Sequence, residues 1–334
     1  MKILFCSHAF YPQIGGIESI SEGLAAEFAR QGHQVRLVTP DAGPDKPEWN
    51  FEVFRQPSRG ELVELCRWCD VVFQNNISLQ TAWPLLLVGR PWVVAHQTWI
   101  ARTDGTLNWQ DHLKRWLIRF AWNAAISQEI ADRLPVPCTL VPNPYRDDLF
   151  RRLPDAKRGK DLVFVGRLVS DKGADLLLEA LALLKWRGLT PGLTLVGGGP
   201  EEQRLREQAR ELGLAVDFTG PKTGEDLVRI LNAHRILVVP SRWAEPFGIV
   251  ALEGIACGCA VIGSRDGGLA DAIGPCGLTF PNNDVTALAD AIDRLCRKPE
   301  ATAALLSDSE AHLARHTACT VASAYLNLFQ SAAR

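Results

Sequence analysis

No stretch of this 334-residue sequence stays apolar for the roughly 18 residues that a membrane span needs. The best candidate, WPLLLVGRPWVVA at 83–95, is broken by Gly89, Arg90 and Pro91, so membrane contact is expected to be peripheral at most. The opening MKILFCSHAF lacks the long apolar run and small-residue cleavage site of a signal peptide. With nine cysteines, an odd number, this points to a reducing cytoplasm and no disulfide framework. Cys66 and Cys69 form a C-x-x-C, but ELVELCRWCD reads as a helix and no second Cys/His pair has zinc spacing, so packing thiols are expected. Low-complexity tracts are missing too. Net charge is only -2, which removes the global positive field that wholesale nucleic-acid binding would need. Residues 1–160 carry 19 Lys+Arg against 17 Asp+Glu and the remainder 17 against 21, an asymmetry too weak to identify a partner. Neither a G-x-G-x-x-G fingerprint nor an Asp-x-Asp occurs, so neither a nicotinamide cofactor nor a carboxylate-held metal is indicated.

What is present is strand–helix alternation. Short apolar runs (KILFC, QVRLVT, DVVFQ, WVVAH, AAIS, TLVPN) are separated by helical patterns, the first from Glu18 to Gln31. Such alternation indicates a parallel sheet covered by helices on both faces. Around 145–160 the pattern stops in YRDDLFRRLPDAKRGKD, charged and without an apolar stripe, which reads as an interdomain linker. It then restarts with LVFVG, a helix from Ala174 to Arg187, LTLVGG, a helix from Glu201 to Leu212, AVDFTG, ILVVPS, a helix from Gly248 to Cys257, and CAVIGS. The chain exceeds the usual size of one hydrophobic core. Two Rossmann-like α/β domains, 1–155 and 156–316, are therefore expected to face a central cleft where ligands bind beyond the carboxyl ends of the strands. Residues 284–298 and 299–333 read as closing helices, and the segment 317–334 is able to cross back to the first domain.

Four loops could carry chemistry. FVGRLVSDKGAD (164–175) puts Arg167 just past a buried strand and Lys172 five positions on, before a helix start. A guanidinium, an ammonium and free helix amides suit a diphosphate. QIGGIESISEGLAAEFARQG (13–32) is a Gly15-Gly16 turn running into an amphipathic helix, where backbone could approach a ligand or simply turn tightly. LVGGGPEEQ (195–203) reads as a strand, a glycine turn and a helix opened by Pro200, near a ligand without holding it. WAEPFGIVALEGIACG (243–258) places Glu245 on a loop and Glu253 in the helix that follows the Pro246-Phe247-Gly248 turn. The first amides of that helix have no internal partners, so one acid with these amides can meet a polyhydroxylated anionic ligand while the other accepts a vicinal diol.

These residues carry a resemblance. EPFGIVALE resembles the E-x7-E signature of retaining glycosyltransferases of the GT-B fold, specifically family four, the glycosyl transferases group 1; PSRWAEPFGIVALEGIACGCAVIGSRDGG, FVGRLVSDKGAD and QIGGIES resemble the surrounding family pattern. The likeness is strong over 160–280 and thin between 40 and 90. It implies that Arg167 and Lys172 hold the diphosphate of a nucleotide-sugar donor and that Glu253 binds its ribose. Glu245, with the backbone of Phe247 and Gly248 and with Ile249 beside them, would bind the donor sugar. Gly15 and Gly16 would lie against the diphosphate, and His96 of WVVAHQT would sit beside the sugar. Many members carry an Asp after that His; here Gln97 follows. No metal or other cofactor is implied, the UDP- or GDP-sugar being a co-substrate.

The implied reaction is retaining transfer of a sugar to a glycan or lipid-linked acceptor, in bacterial cell-envelope polysaccharide or lipopolysaccharide synthesis. Two alternatives are a sugar-nucleotide epimerase of the same architecture and a non-catalytic nucleotide-sugar binding protein. DHLKRWLIRFAW (111–122) mixes His112, Lys114, Arg115 and Arg119 with Trp116, Phe120 and Trp122 in a helical pattern, which suits either a peripheral contact at the inner face of a membrane or a core helix with a solvated face.

Overall fold

The computed structural model describes residues 1–13, 15–101 and 105–334. The chain divides into two compact units, Met1–Pro144 with Thr317–Arg334, and Tyr145–His316. In the first, strands β1 (Lys2–Ser7), β2 (Gln34–Thr39), β3 (Glu52–Arg55), β4 (Val71–Asn75), β5 (Trp92–His96), β6 (Trp122–Ala125) and β7 (Thr139–Leu140) form a parallel sheet in the order β3-β2-β1-β4-β5-β6-β7. Chain order reverses between β1 and β4, so the loops after these strands part and leave a crevice at the carboxyl edge. Both strands are buried on both faces, which is why KILFC and VVF read as continuous apolar runs.

The terminal helix Ala318–Ala332 belongs to this first unit. Its Tyr325 and Phe329 lie 4.9 and 5.1 Å from the Phe73 ring, which in turn sits 4.8 Å from Phe5. All four rings are fully buried, and each contributes roughly 1.5–3 kcal/mol by burial. The expected continuous helix over 299–333 is instead three: Pro299–Leu305, Ser309–Ala314 and Ala318–Ala332. The last break has a clear cause. His312 Nε2 bonds the Ala272 carbonyl in the second unit, and the Thr317 side chain caps a fresh helix by accepting from the Thr320 amide.

The second unit holds β8 (Lys160–Val165), β9 (Leu193–Val196), β10 (Val216–Gly220), β11 (His234–Val239), β12 (Ala260–Ser264) and β13 (Gly277–Phe280), all parallel, in the order β10-β9-β8-β11-β12-β13. Its core packs Leu177, Leu181 and Leu184 of the helix Ala174–Trp186 against Leu162, Leu195 and Ile236. The reversal here falls between β8 and β11. The loops after these two strands carry Arg167, Lys172 and Glu245.

The junction lies at Pro144/Tyr145, not at 155. The charged segment expected as a linker is tied to the second unit: Leu153 N donates to Asn232 Oδ1 at 2.9 Å, and Arg158 donates to the carbonyls of His234 and Cys257 at 2.6 and 2.7 Å. Tyr145 N donates to the His316 carbonyl at 3.1 Å, so the chain enters and leaves this unit at one point. The stretch 111–122 also differs from a single helix. The helix Trp109–Leu117 tightens into a 3₁₀ turn, Ile118–Phe120, and Trp122 opens β6. Asn123 ends it by donating to the carbonyls of Ile118 and Ala121, both at 2.9 Å. Trp109, Trp116, Phe120 and Trp122 are exposed. Among the described residues no helix is long and apolar enough to cross a membrane.

Candidate functional site

β8 delivers the chain to Gly166 and Arg167, and a 3₁₀ turn, Ser170–Lys172, leads to Gly173. Gly173 has φ +67°, and a Cβ there would stand 2.0 Å from the Pro240 carbonyl oxygen, so only glycine lets this loop press against the loop that follows β11. Two further bonds join the loops: Arg242 N donates to the Asp171 carbonyl at 2.8 Å, and Arg242 Nη2 pairs with Asp175 at 3.0 Å. Burial alone would raise the Asp175 carboxyl, but Arg242 holds it below its ordinary range. Asp175 therefore stays ionised and fixes Arg242 at the mouth of the helix Ala174–Trp186.

This junction brings Lys172 to Glu245. Lys172 Nζ lies 2.5 Å from Glu245 Oε1, and Ser241 Oγ donates to the same oxygen at 2.6 Å. Both bonds fall on Oε1, which leaves Oε2 of a nearly buried carboxylate with no hydrogen-bond partner among the described residues to compete with a ligand hydroxyl. Lys172 also lies 5.8 Å from the centroid of the Trp243 ring, whose buried Nε1 has no hydrogen-bond acceptor among the described residues. Arg167 is exposed, and its guanidinium makes no ion pair or hydrogen bond among the described residues. The three sequence-read groups thus differ: two are paired to each other, and the third points its charge to solvent.

Gly248 caps the helix Ile249–Ala256 at φ +98°, where a Cβ would meet Leu269 Cδ1 at 2.4 Å. The Phe247 side chain is 2% exposed and packs 5.7 Å from the His316 ring, so it belongs to the core and only its backbone is left for a ligand. Glu253 sits in the second turn of this helix, and its carboxyl makes no hydrogen bond among the described residues. Burial pushes its carboxyl up to about 7, against the pull of the Arg146 charge. The glycines at 197 and 199 serve packing: a Cβ on Gly197 would strike the Gly166 carbonyl oxygen at 1.8 Å, and one on Gly199 the Leu168 oxygen at 2.3 Å. They let β9's loop back the Arg167 loop.

In the first unit Gly15 precedes the helix Gly16–Arg30 in extended backbone, while Ile14 of QIGGIES lies outside the described residues. His96 closes β5 and is fully buried. Its Nε2 is 2.9 Å from Asn123 Oδ1. Because Asn123 spends its amide group on two carbonyls, the imidazole must donate from Nε2, which leaves Nδ1 as a bare acceptor without a partner among the described residues. Burial pushes its pKa down to about 4 against the Asn123 bond, so His96 is neutral near pH 7. Gln97 beside it is buried, accepts from Asn143 at 2.8 Å, and leaves its own Nε2 without an acceptor among the described residues. Cys66 and Cys69 are buried thiols whose pKa values burial raises to about 11 and 12, in keeping with packing.

Arg242, Asp175, Ser241 and Trp243 were not singled out from the sequence. Their signal was adjacency: three of them lie within four residues of Glu245, and Asp175 lies three residues after Lys172.

Residues 146–309 match the family described as glycosyl transferases group 1. D-inositol 3-phosphate glycosyltransferase of Saccharomonospora viridis is 36% identical over 186 residues, 51% of this chain and 42% of that protein. The chain thus spans less than half the length of this curated relative. Among solved structures, Anabaena Alr3699/HepE in complex with UDP and glucose superposes with a TM-score of 0.81 at 21% identity, covering 99% of this chain and 100% of that one. The lipopolysaccharide outer core galactosyltransferase WaaB does so at 0.75 and 18%, covering 99% of each. The two parallel sheets, of seven and six strands, are those of the GT-B fold.

Proposed function

We propose a function from one premise: this chain belongs, through residues 146–309, to the group 1 glycosyl transferases. It moves a sugar from a UDP- or GDP-sugar to a glycan or lipid-linked acceptor, with retention at the anomeric carbon and without a metal ion. The observation that carries this reading is the Lys172–Glu245–Ser241 cluster beside the unpaired Arg167, at the reversal point of the second sheet.

Glycosyl transfer breaks the bond from the anomeric carbon to the diphosphate, with positive charge developing on the sugar and negative charge on the leaving oxygens. Arg167 and Lys172 stabilise the leaving group; preorganised contacts of this kind contribute about 3 kcal/mol each. The acceptor oxygen bonds the anomeric carbon on the face the diphosphate leaves, and its proton departs with a diphosphate oxygen. Glu245 orients the sugar through Oε2, with the backbone of Phe247, Gly248 and Ile249 beside it. We assign it an orienting role and not that of a covalent nucleophile; a glycosyl adduct trapped on Glu245 would overturn this. Glu253 accepts the ribose diol. The first unit takes the acceptor, while Gly15 and Gly16 keep their assignment to the donor diphosphate and His96 its assignment beside the donor sugar.

The relative's name carries inositol 3-phosphate and WaaB's carries lipopolysaccharide. Of these settings we favour bacterial cell-envelope polysaccharide or lipopolysaccharide synthesis on the cytoplasmic side of the membrane. Exposed Trp109, Trp116, Phe120 and Trp122 beside Lys114, Arg115 and Arg119 support contact with an anionic lipid surface through residues 111–122. Cosedimentation with anionic vesicles at low salt should therefore capture the protein, and a Trp116→Ser/Phe120→Ser variant should stay in the supernatant. Capture of both alike would remove this face from the account.

The test of the transfer itself is product analysis in chelator. UDP- and GDP-sugars incubated with candidate acceptors should yield free nucleoside diphosphate and a glycosylated acceptor of unchanged anomeric configuration. An isomerised nucleotide sugar would make the protein an epimerase instead. Donor binding with no turnover of any acceptor would make it a binding protein. Rescue of lost activity by added divalent metal would overturn the metal-free scheme.

A further inference from the structure

The first unit carries a half-open cavity of about 260 Å³. It lies beyond the carboxyl ends of β1, β2 and β4, where ligands of open α/β sheets bind. Its apolar floor is Val38 and Leu62, nearly fully buried. Ser7, Thr39, Ser78, Gln80 and Thr81 supply hydroxyls and an amide around that floor, and His8 adds one imidazole. Not one Lys, Arg, Asp or Glu is among the described residues that line it.

The walls are held before any ligand arrives. Gln74, fully buried at the end of β4, donates to Thr81 Oγ1 at 2.7 Å and to the Ser78 carbonyl at 3.1 Å, which fixes the 78–81 turn. Ser7 Oγ donates to the Ala9 carbonyl at 2.7 Å and lies 2.8 Å from Ser21 Oγ, which accepts from Asn75 at 2.7 Å. Gln56 Nε2 donates to the Pro40 carbonyl at 3.1 Å across the opposite rim. Gln80, by contrast, is exposed and has no partner among the described residues. The cavity is therefore a held, polar recess without Lys, Arg, Asp or Glu among the described residues that line it, and the Gln80 amide is left to bind. Its volume falls just under the roughly 300 Å³ at which pockets for drug-sized ligands begin, which suits a single hydroxylated ring.

We propose that this cavity is the acceptor subsite and that it selects an uncharged, hydroxylated ring, a terminal sugar unit bearing no phosphate. Hydroxyls and amides here satisfy the donors and acceptors of a sugar, whereas a phosphate entering would lose water and meet no Lys or Arg among the described lining residues. Its role as an acceptor site rests on the transfer reading above; the charge preference rests on the cavity alone.

The test is binding without turnover. Saturation-transfer NMR at pH 8 would compare myo-inositol, methyl glucoside and methyl galactoside with inositol 1-phosphate, glucose 6-phosphate and galactose 6-phosphate. At least one uncharged ring should bind, its phosphate ester about tenfold more weakly or worse. Gln80→Ala should weaken the ring several-fold, and Gln80→Lys, on an exposed turn where folding is not at stake, should turn the preference toward the ester. Equal or tighter binding of the esters to the native protein overturns the proposal, as does ring binding that Gln80→Ala leaves untouched. If UDP or GDP shifts the melting temperature and no uncharged ring binds, the subsite falls and the transferase reading stands. If the rings bind as described and no nucleotide shifts it, the subsite stands and the transferase reading falls.

Discussion

The two sheets end in loops that treat their polar groups in opposite ways. At the carboxyl edge of the second sheet, charges are paired in advance: Lys172 with Glu245, Arg242 with Asp175. At the edge of the first, His96 Nδ1, Gln97 Nε2 and Asn75 Oδ1 are buried without partners among the described residues, and the described residues lining the cavity include no Lys, Arg, Asp or Glu. A charged ligand needs charged groups that are already desolvated and aimed, and the Lys172–Glu245 pair holds both side chains in place until the ligand competes for one of them. A neutral ligand needs single donors and acceptors that its own hydroxyls complete. The difference teaches that one edge is built around charge and the other around hydrogen-bond count.

The comparison breaks most readily at Lys172. Lys172→Ala should lower kcat/KM for the donor by about 10²–10³, because it removes a preorganised cation from the leaving group and frees Glu245 from its fixed position. His96→Asn, at the neutral edge, should cost less, because it removes one uncharged hydrogen-bonding group and no cation. Steady-state kinetics with donor varied at saturating acceptor would decide between these. Equal losses at both positions would mean that the two edges do not divide charge and hydroxyl recognition between them.

Legibility followed the same division. Glu245, Arg167 and Lys172 stand in short local patterns, and the order strand–loop–helix put them near one another without any knowledge of long-range contacts. What could not be read was set by partners distant in sequence. The junction moved to Tyr145 because its amide meets His316, 171 residues away, and no local feature of YRDDLF announces that bond. The break before Thr317 depends on His312 reaching Ala272. The edge strands β3 and β13 were passed over because Glu52–Arg55 is half exposed and Gly277–Phe280 is four residues opened by a glycine, so neither shows the buried apolar run of a central strand. His96 was read as a site residue, but its neutrality and bare Nδ1 depend on burial and on Asn123, 27 residues on.

The smaller effect concerns which edge titrates. With His96 held near 4 and Glu253 near 7, the acid limb of kcat/KM near neutrality should belong to Glu253, since a diol needs the ionised carboxylate. Glu253→Gln should erase that limb and His96→Asn should not. The same group must also leave a mark on stability. Its pKa is about 7 folded and 4.5 unfolded, so between those values the folded state holds more protons than the unfolded chain, and stability falls as pH rises through that window. Above about 7 the full cost is present; below 4.5 it is absent. Because part of the side chain still reaches solvent, the cost should be about 1–3 kcal/mol rather than the full value of the shift. Urea titrations of the native protein and of Glu253→Gln at pH 4, 6 and 8 should therefore nearly coincide at pH 4 and separate progressively above it, with the glutamine protein the more stable at pH 8. A native protein whose stability runs parallel to the variant's from pH 4.5 to 7 would mean that Glu253 ionises at its ordinary pKa, and one that gains on the variant that it ionises below it. The charge-built edge would then be ionised throughout at neutral pH, and the acid limb would have to come from somewhere else.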